Sequence, residues 1–193
     1  NEFNMNSLEV NYEFETMRLV SLSSKVNRDA YFTRDITYSL AGKPPPGYPA
    51  TAGVLTEVVD NSESFSQELR LQSPEDQTWE WRTGMFFTHE RTVDQQDAAS
   101  FDATTGIPIA LPTLAHVSVG PALFTEWAGY GDLTWHPTSQ LSVLVGARYS
   151  NDRTTYSQTS TGLLIGDTDF TSRSSDHPIT YLFNPSYKFT DNV

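Results

Sequence analysis

Runs of alternating apolar and polar residues are separated along this chain by connectors of two kinds, which themselves alternate. Short polar connectors fall near Glu15-Thr16, Ser73-Pro74-Glu75-Asp76-Gln77, His136-Pro137-Thr138-Ser139 and Thr190-Asp191-Asn192. Long, ragged ones cover residues 27–62, 93–122 and 157–176. Period-two runs argue for half-buried β-strands. Tight turns at one end of every hairpin and large loops at the other suit a β-barrel that crosses a membrane better than a soluble sandwich.

The clearest hairpin spans residues 127–149. Trp127, Gly129, Gly131, Leu133 and Trp135 share one face of its first arm, with Glu126, Ala128, Tyr130, Asp132 and Thr134 on the other. In the second arm Leu141, Val143, Val145, Ala147 and Tyr149 oppose Ser142, Leu144, Gly146, Arg148 and Ser150. The eight steps from Trp127 to Trp135 cover roughly 27 Å of extended chain. Tilted by about 40°, they rise roughly 21 Å, close to the apolar band between aromatic girdles. The same design recurs. Phe65, Leu69 and Leu71 oppose Ser66, Glu68, Arg70 and Gln72, and Trp79, Trp81, Met85 and Phe87 oppose Glu80, Arg82, Gly84 and Thr88. Leu8, Val10, Tyr12 and Phe14 oppose Glu9, Asn11, Glu13 and Glu15; Ile179, Tyr181, Phe183, Tyr187 and Phe189 oppose Thr180, Asn184, Ser186 and Lys188. Between 17 and 26 the period is blurred by Ser21, Ser23 and Ser24, and a strand is expected there from its place after a short turn. The expectation is an all-β, antiparallel transmembrane β-barrel segment of about seven strands. An open sheet of that size would leave two bare edges, which a bilayer does not tolerate, so the chain reads as a piece of something larger.

Composition agrees. Aromatic residues make up 12% of the chain and charged residues 19%, which favours a pleated, half-buried surface. A net charge of −12 argues against nucleic acid as a partner, which calls for a basic stripe. No run of about 18 apolar residues is present, so a membrane-spanning helix is excluded. The mean hydropathy of −0.43 does not exclude a barrel, because half of each spanning strand is polar. Cysteine is absent, which removes disulfides and thiolate zinc sites as sources of stability. The chain begins without Met and shows no signal segment.

No catalytic constellation stands out. His89, His116, His136 and His177 are scattered without metal-ligand spacing, nucleophile elbows and phosphate loops are lacking, and no enzyme, cofactor or metal site is expected. Glu9, Glu13 and Glu15 read as a wet lumen wall. Glu68 with Arg70 and Glu80 with Arg82 are expected to form ion pairs inside the barrel or to meet a plug. His136 and His177 each precede a proline, which suggests turns. The run Lys43-Pro44-Pro45-Pro46-Gly47-Tyr48-Pro49 reads as a stiffened external loop. Ligand contacts should come from inward-facing side chains and long loops, and on this register Tyr130 and Arg148 are the candidate ligand-binding residues.

Three stretches resemble barrel hairpins of TonB-dependent outer-membrane receptors. They are Ser64-Phe65-Ser66-Gln67-Glu68-Leu69-Arg70-Leu71 with its Ser-Pro turn and Trp79-Glu80-Trp81-Arg82-Thr83-Gly84-Met85-Phe86-Phe87; Tyr130-Gly131-Asp132-Leu133-Thr134-Trp135 with residues 141–152; and the closing Asn184-Pro185-Ser186-Tyr187-Lys188-Phe189-Thr190-Asp191-Asn192-Val193. The resemblance implies that residues 1–193 are part of a barrel of about 22 strands in the bacterial outer membrane, without the plug domain and TonB box. It implies import of a scarce ligand such as a ferric siderophore, with outer-membrane lipid and the TonB complex as partners. The alternatives are a passive porin-type barrel and a soluble all-β carbohydrate-binding module.

Overall fold

A computed structural model describes residues 1–40, 47, 49–109 and 114–189. The Thr190-Asp191-Asn192 turn and most of the proline-rich run from Lys43 lie outside the described residues. Eight strands form one antiparallel sheet: β1 (Glu2–Glu13), β2 (Arg18–Asp35), β3 (Ala52–Gln72), β4 (Trp79–Asp102), β5 (Ala115–Trp135), β6 (Leu141–Thr161), β7 (Thr168–Asp176) and β8 (Ile179–Tyr187). Each of β1 to β6 pairs with the next in sequence, and β6 pairs with β8 as well. The ladder Ser160↔Thr168 to Asp152↔Asp176 is continued by Tyr149↔Ile179 to Leu141↔Tyr187. β7 and β8 are therefore one path along β6, interrupted at His177-Pro178, where proline has no N–H to give the ladder. The Pro178 carbonyl still accepts from the Ser150 amide at 3.1 Å. Seven ribbon positions result, as the sequence pattern implies. His177 marks this interruption, whereas His136 does sit in a turn.

The short connectors are residues 14–17, 73–78 and 136–140, all at one end of the sheet. At the other end the connectors are shorter than the sequence suggests, namely 36–51, 103–114 and 162–167. Much of 27–62, 93–122 and 157–176 is paired strand: β4 alone has 24 residues and β3, β5 and β6 have 21 each. A membrane crossing would need only about 9–11 residues per strand, so these strands are much longer than that expectation requires. Towards the loops the division into one apolar and one polar face is lost, and side-chain alternation lapses although the backbone ladder persists. One irregularity shifts the register of β5 against both neighbours, between Thr92 and Asp94 on β4 and between Val119 and Leu123 on β5.

Pairing carries one apolar face across all seven positions. Trp79, Trp135, Val143 and Pro185 share a row. Trp81, Leu133, Val145 and Phe183 form the next on that face, and Leu8, Ser23, Gln67, Phe87, Trp127 and Asn151 another towards the loops. Among the described residues no second layer covers this face: Trp127 is 55% exposed, Leu133 37% and Val145 42%. Trp79 stacks on Trp135 at 5.4 Å between ring centroids, and Phe87 lies 4.3 Å from Trp127. These pairs mark the two edges of the band.

β2 departs from the pattern. Val20 and Leu22 point to the polar face, and Ser21 and Ser23 to the apolar one. The serines are satisfied by Gln67, whose Oε1 accepts from Ser23 at 2.5 Å and whose Nε2 donates to Ser21 at 3.1 Å. Polar groups on an apolar face are tolerated when they bond one another.

The buried cluster lies at the loop end, where Val54, Ala98 and Leu114 pack with Ile36 and Ala115. Asp102 organises the loop that follows β4, accepting from the amides of Thr104 (2.8 Å) and Thr105 (2.9 Å) and from the Thr51 hydroxyl (2.9 Å). The Thr51 hydroxyl, then the two amides, hold its carboxyl below the usual carboxylate range. A depressed folded pKa gives stabilisation that is complete above the unfolded value and lost as pH falls through the folded one. Amide exchange at Thr104 and Thr105, corrected for intrinsic rates, is expected to stay protected from neutral pH to about pH 4 and to quicken below it. In Asp102→Ala the protected plateau should be missing at every pH.

Candidate functional site

The opposite face is polar because period two leaves it so, and its chemistry is concentrated near the short-turn half of β3 to β6. Asn11, Val20, Arg70, Gly84, Tyr130, Arg148 and Thr180 fall in one row. Tyr130 and Arg148 are thus directly opposite each other on β5 and β6, at the rim of a cavity of about 370 Å³ shared with Glu68, Arg70, Arg82 and Asp132.

Each of these side chains is held. The Tyr130 hydroxyl donates to Glu68 Oε1, two strands away. The Arg148 guanidinium donates to Glu126 and lies 5.3 Å from the centroid of the Phe86 ring, an arrangement that combines an ion pair with cation–π attraction. Arg82 Nε and Nη2 both reach Asp132 Oδ2 at 2.9 Å. Arg70 Nη1 is 3.8 Å from Glu68 Oε1. The expected Glu68–Arg70 pair is therefore present, and the expected Glu80–Arg82 pair is not. Residues two apart on one strand are about 7 Å apart, whereas the directly opposed Asp132 is within about 5.5 Å of Arg82. Glu80 turns instead to the Asp76 amide (2.9 Å) and to His136 (3.5 Å).

Tyr130 can lie flat on the wall because position 84 beneath it has no side chain: a Cβ there would be 2.6 Å from the Tyr130 hydroxyl. Glu126, Phe86, Asp132 and Gly84 were not singled out by sequence as parts of the site, since they meet Arg148, Arg82 and Tyr130 only once the register of β3 to β6 is fixed. On β1, Glu9 accepts from Asn11 (2.7 Å) and Glu13 pairs with Arg18 (3.0 Å), both exposed, while Glu15 sits in the turn and not on the face. His89 meets Thr125, His116 meets Asp97, and His177 meets Asn151. Among the described residues no three His, Cys, Asp or Glu side chains gather as metal ligands would.

No family model matches the chain, and no curated protein matches it. Solved structures do. The ferric yersiniabactin uptake receptor FyuA from Yersinia pestis superposes with a TM-score of 0.72 at 18% identity, over 98% of this chain and 26% of the receptor. The chain shares its fold with a segment of that receptor's β-barrel. The ferric citrate transporter FecA, in its unliganded form, superposes with a TM-score of 0.61 at 12% identity, over 98% of this chain and 25% of the transporter. The chain thus spans about a quarter of each, and at these identities the likeness is one of fold. In a sheet that closes as such barrels do, the apolar face would be the outer one and the face bearing Tyr130 and Arg148 the inner one.

Proposed function

We propose that this chain is part of the β-barrel of a bacterial outer-membrane receptor that imports a scarce ligand such as a ferric siderophore, energised through TonB. The observation that carries the reading is the two-faced single layer: a band of exposed Trp, Leu, Val and Phe on one side and a wall of paired charges on the other. Hydrocarbon is the partner that such an outer face fits, and water or a plug the partner of the inner one. β1 and the β7–β8 path are exposed along their lengths, so further strands would close the barrel. The plug and the TonB box would belong to the protein outside these 193 residues. Tyr130 and Arg148 are the residues we assign to the ligand's path, and their present partners, Glu68 and Glu126, would set their orientation.

The test is uptake by iron-limited cells that express the intact protein. Labelled ferric siderophores from a small panel should include one that accumulates, and its accumulation should stop when TonB is deleted or the proton gradient is collapsed. Uptake that continues without TonB would support a passive pore instead.

A further inference from the structure

The face that bears Tyr130 and Arg148 changes character on the loop side of Arg148, along β4 to β7. Three aromatic side chains step diagonally across it: Phe124 opposite Thr154, Tyr156 opposite Ser172, and Phe170 opposite Gln158. Each lies on the next strand and one position farther towards the loops. Tyr156 and Phe170 are 5.7 Å apart between ring centroids. The Tyr156 hydroxyl donates to Gln158 Oε1 at 2.6 Å, which ties that ring to the sheet. Phe170 is 46% exposed, so its ring is open to a passing molecule.

Carboxylates border this stripe. Glu126, Asp152 and Asp176 form the row beneath it, and Glu90 and Asp94 flank it on β4, opposite Phe124 and Val119. Glu126 is held by Arg148. Among the described residues Glu90, Asp94, Asp152 and Asp176 take part in no ion pair. Asp152 Oδ1 is buried and accepts no hydrogen bond, which is costly unless a cation is close by. The other arginines of β6 and β7, Arg153 and Arg173, fall on the opposite face of the sheet. Arg28 and Arg34 share the face of the stripe but stand on β2, three strands and roughly 14 Å from β5. Arg28 is paired with Asp60, and Arg34 donates to the Tyr38 hydroxyl.

Resting on the receptor reading above, we propose that the imported ligand carries an organic cation, an amine or quaternary ammonium group, and that the Phe124–Tyr156–Phe170 stripe receives it. Ring faces attract such a cation within about 6 Å of the centroid. The carboxylates around the rings raise its concentration at the wall. Neither feature selects the ligand alone, since acids draw any counterion and rings any apolar group. Together they favour a charge carried on methyl or methylene groups, which can meet the rings and the carboxylates at once. An anionic ligand would be repelled at this height before it reached Arg148. A ferric chelate with a free amine therefore fits this wall, and one with a net negative charge does not.

The intact receptor carrying this segment, in uncharged detergent, is to be titrated calorimetrically with choline and with its neutral isostere 3,3-dimethylbutanol. Choline should bind about tenfold or more tightly than the isostere. The double variant Tyr156→Leu, Phe170→Leu should weaken choline on the order of tenfold, whereas Tyr156→Phe, which keeps the ring, should stay within about twofold. Asp152→Asn should weaken choline roughly threefold and leave the isostere unchanged. Equal binding of choline and isostere would overturn the proposal. So would choline binding unaltered in the double variant, or displacement of choline by an equal concentration of potassium, either of which would leave only a counterion at an acidic wall. Uptake by iron-limited cells separates this proposal from the import reading. TonB-dependent accumulation of a ligand without choline binding, or of an anionic ligand, would overturn the cation site and keep the import reading. Choline binding as expected, with no ligand accumulating, would overturn the import reading and leave a cation-binding wall.

Discussion

On the barrel reading proposed above, replacing Met85 with arginine is expected to destabilise the intact protein by about 2–4 kcal/mol, the cost of a cation on a lipid-facing surface near the bilayer midplane. Met85 lies on β4 between Trp81 on the short-turn side and Phe87 on the loop side, paired with Leu69 and Gly129, and is 61% exposed. Its own outer-face row adds Val10, Ser21, Tyr149 and Ile179, and the rows on either side hold no acid that could pair with the new charge. The matching control is Thr134→Arg on β5, which puts the same side chain on the inner face directly opposite Glu80. There water and a carboxylate are at hand, and a change within about 0.5 kcal/mol is expected. Reversible denaturant unfolding of the barrel in lipid vesicles measures both. If Met85→Arg cost no more than Thr134→Arg, hydrocarbon would not be what covers this face.

Which face Met85 lies on was legible before any coordinates, and the reason is geometric. A strand has only two faces, so Trp127, Leu133, Val143 and Val145 had to fall together once both arms of their hairpin were recognised; the pairs Leu133↔Val145 and Trp135↔Val143 follow from the turn between them. The strand ends were not legible. Beyond Asn27, Val93 and Ser157 the ladder continues through residues such as Asp60, Asp94 and Gln95, which carry no simple period because the apolar residues there, Val54, Ala98 and Leu114, gather in one small cluster and not along a face. Backbone hydrogen bonds hold those extensions, and backbone hydrogen bonds leave no mark in a residue pattern. β2 was blurred for a related reason, since its outward serines rely on Gln67 of β3, a partner 44 residues away from Ser23. The candidate site was legible in half. Tyr130 and Arg148 point inward as their period requires, but Glu68, Glu126 and Phe86, which hold them, become neighbours only through the register of four strands.

The second large effect is expected at Gly84, where local preference and tertiary geometry predict opposite signs. Judged by strand propensity alone, a glycine in mid-strand is a weak point, and valine or alanine should stabilise by up to about 1 kcal/mol. The geometry opposes this. A Cβ at position 84 would be 2.6 Å from the Tyr130 hydroxyl, 2.7 Å from its Cζ and 2.9 Å from the Leu69 carbonyl oxygen. The ring can swing away, but only by releasing Glu68, which leaves a half-buried carboxylate one donor short at about 1–2 kcal/mol. The carbonyl cannot move without loosening the β3–β4 ladder at Arg70↔Gly84. Adding overpacking of about 1–3 kcal/mol, Gly84→Val should lose about 2–5 kcal/mol, and Gly84→Ala somewhat less. A double-mutant cycle apportions the cause. In a Tyr130→Ala background only the carbonyl contact remains, so Gly84→Ala should become cheaper there by about 1 kcal/mol or more. Equal costs in the two backgrounds would mean that the Tyr130 ring does not lie over Gly84, and the polar face would then lack the tyrosine–glutamate contact that fixes the Tyr130 ring.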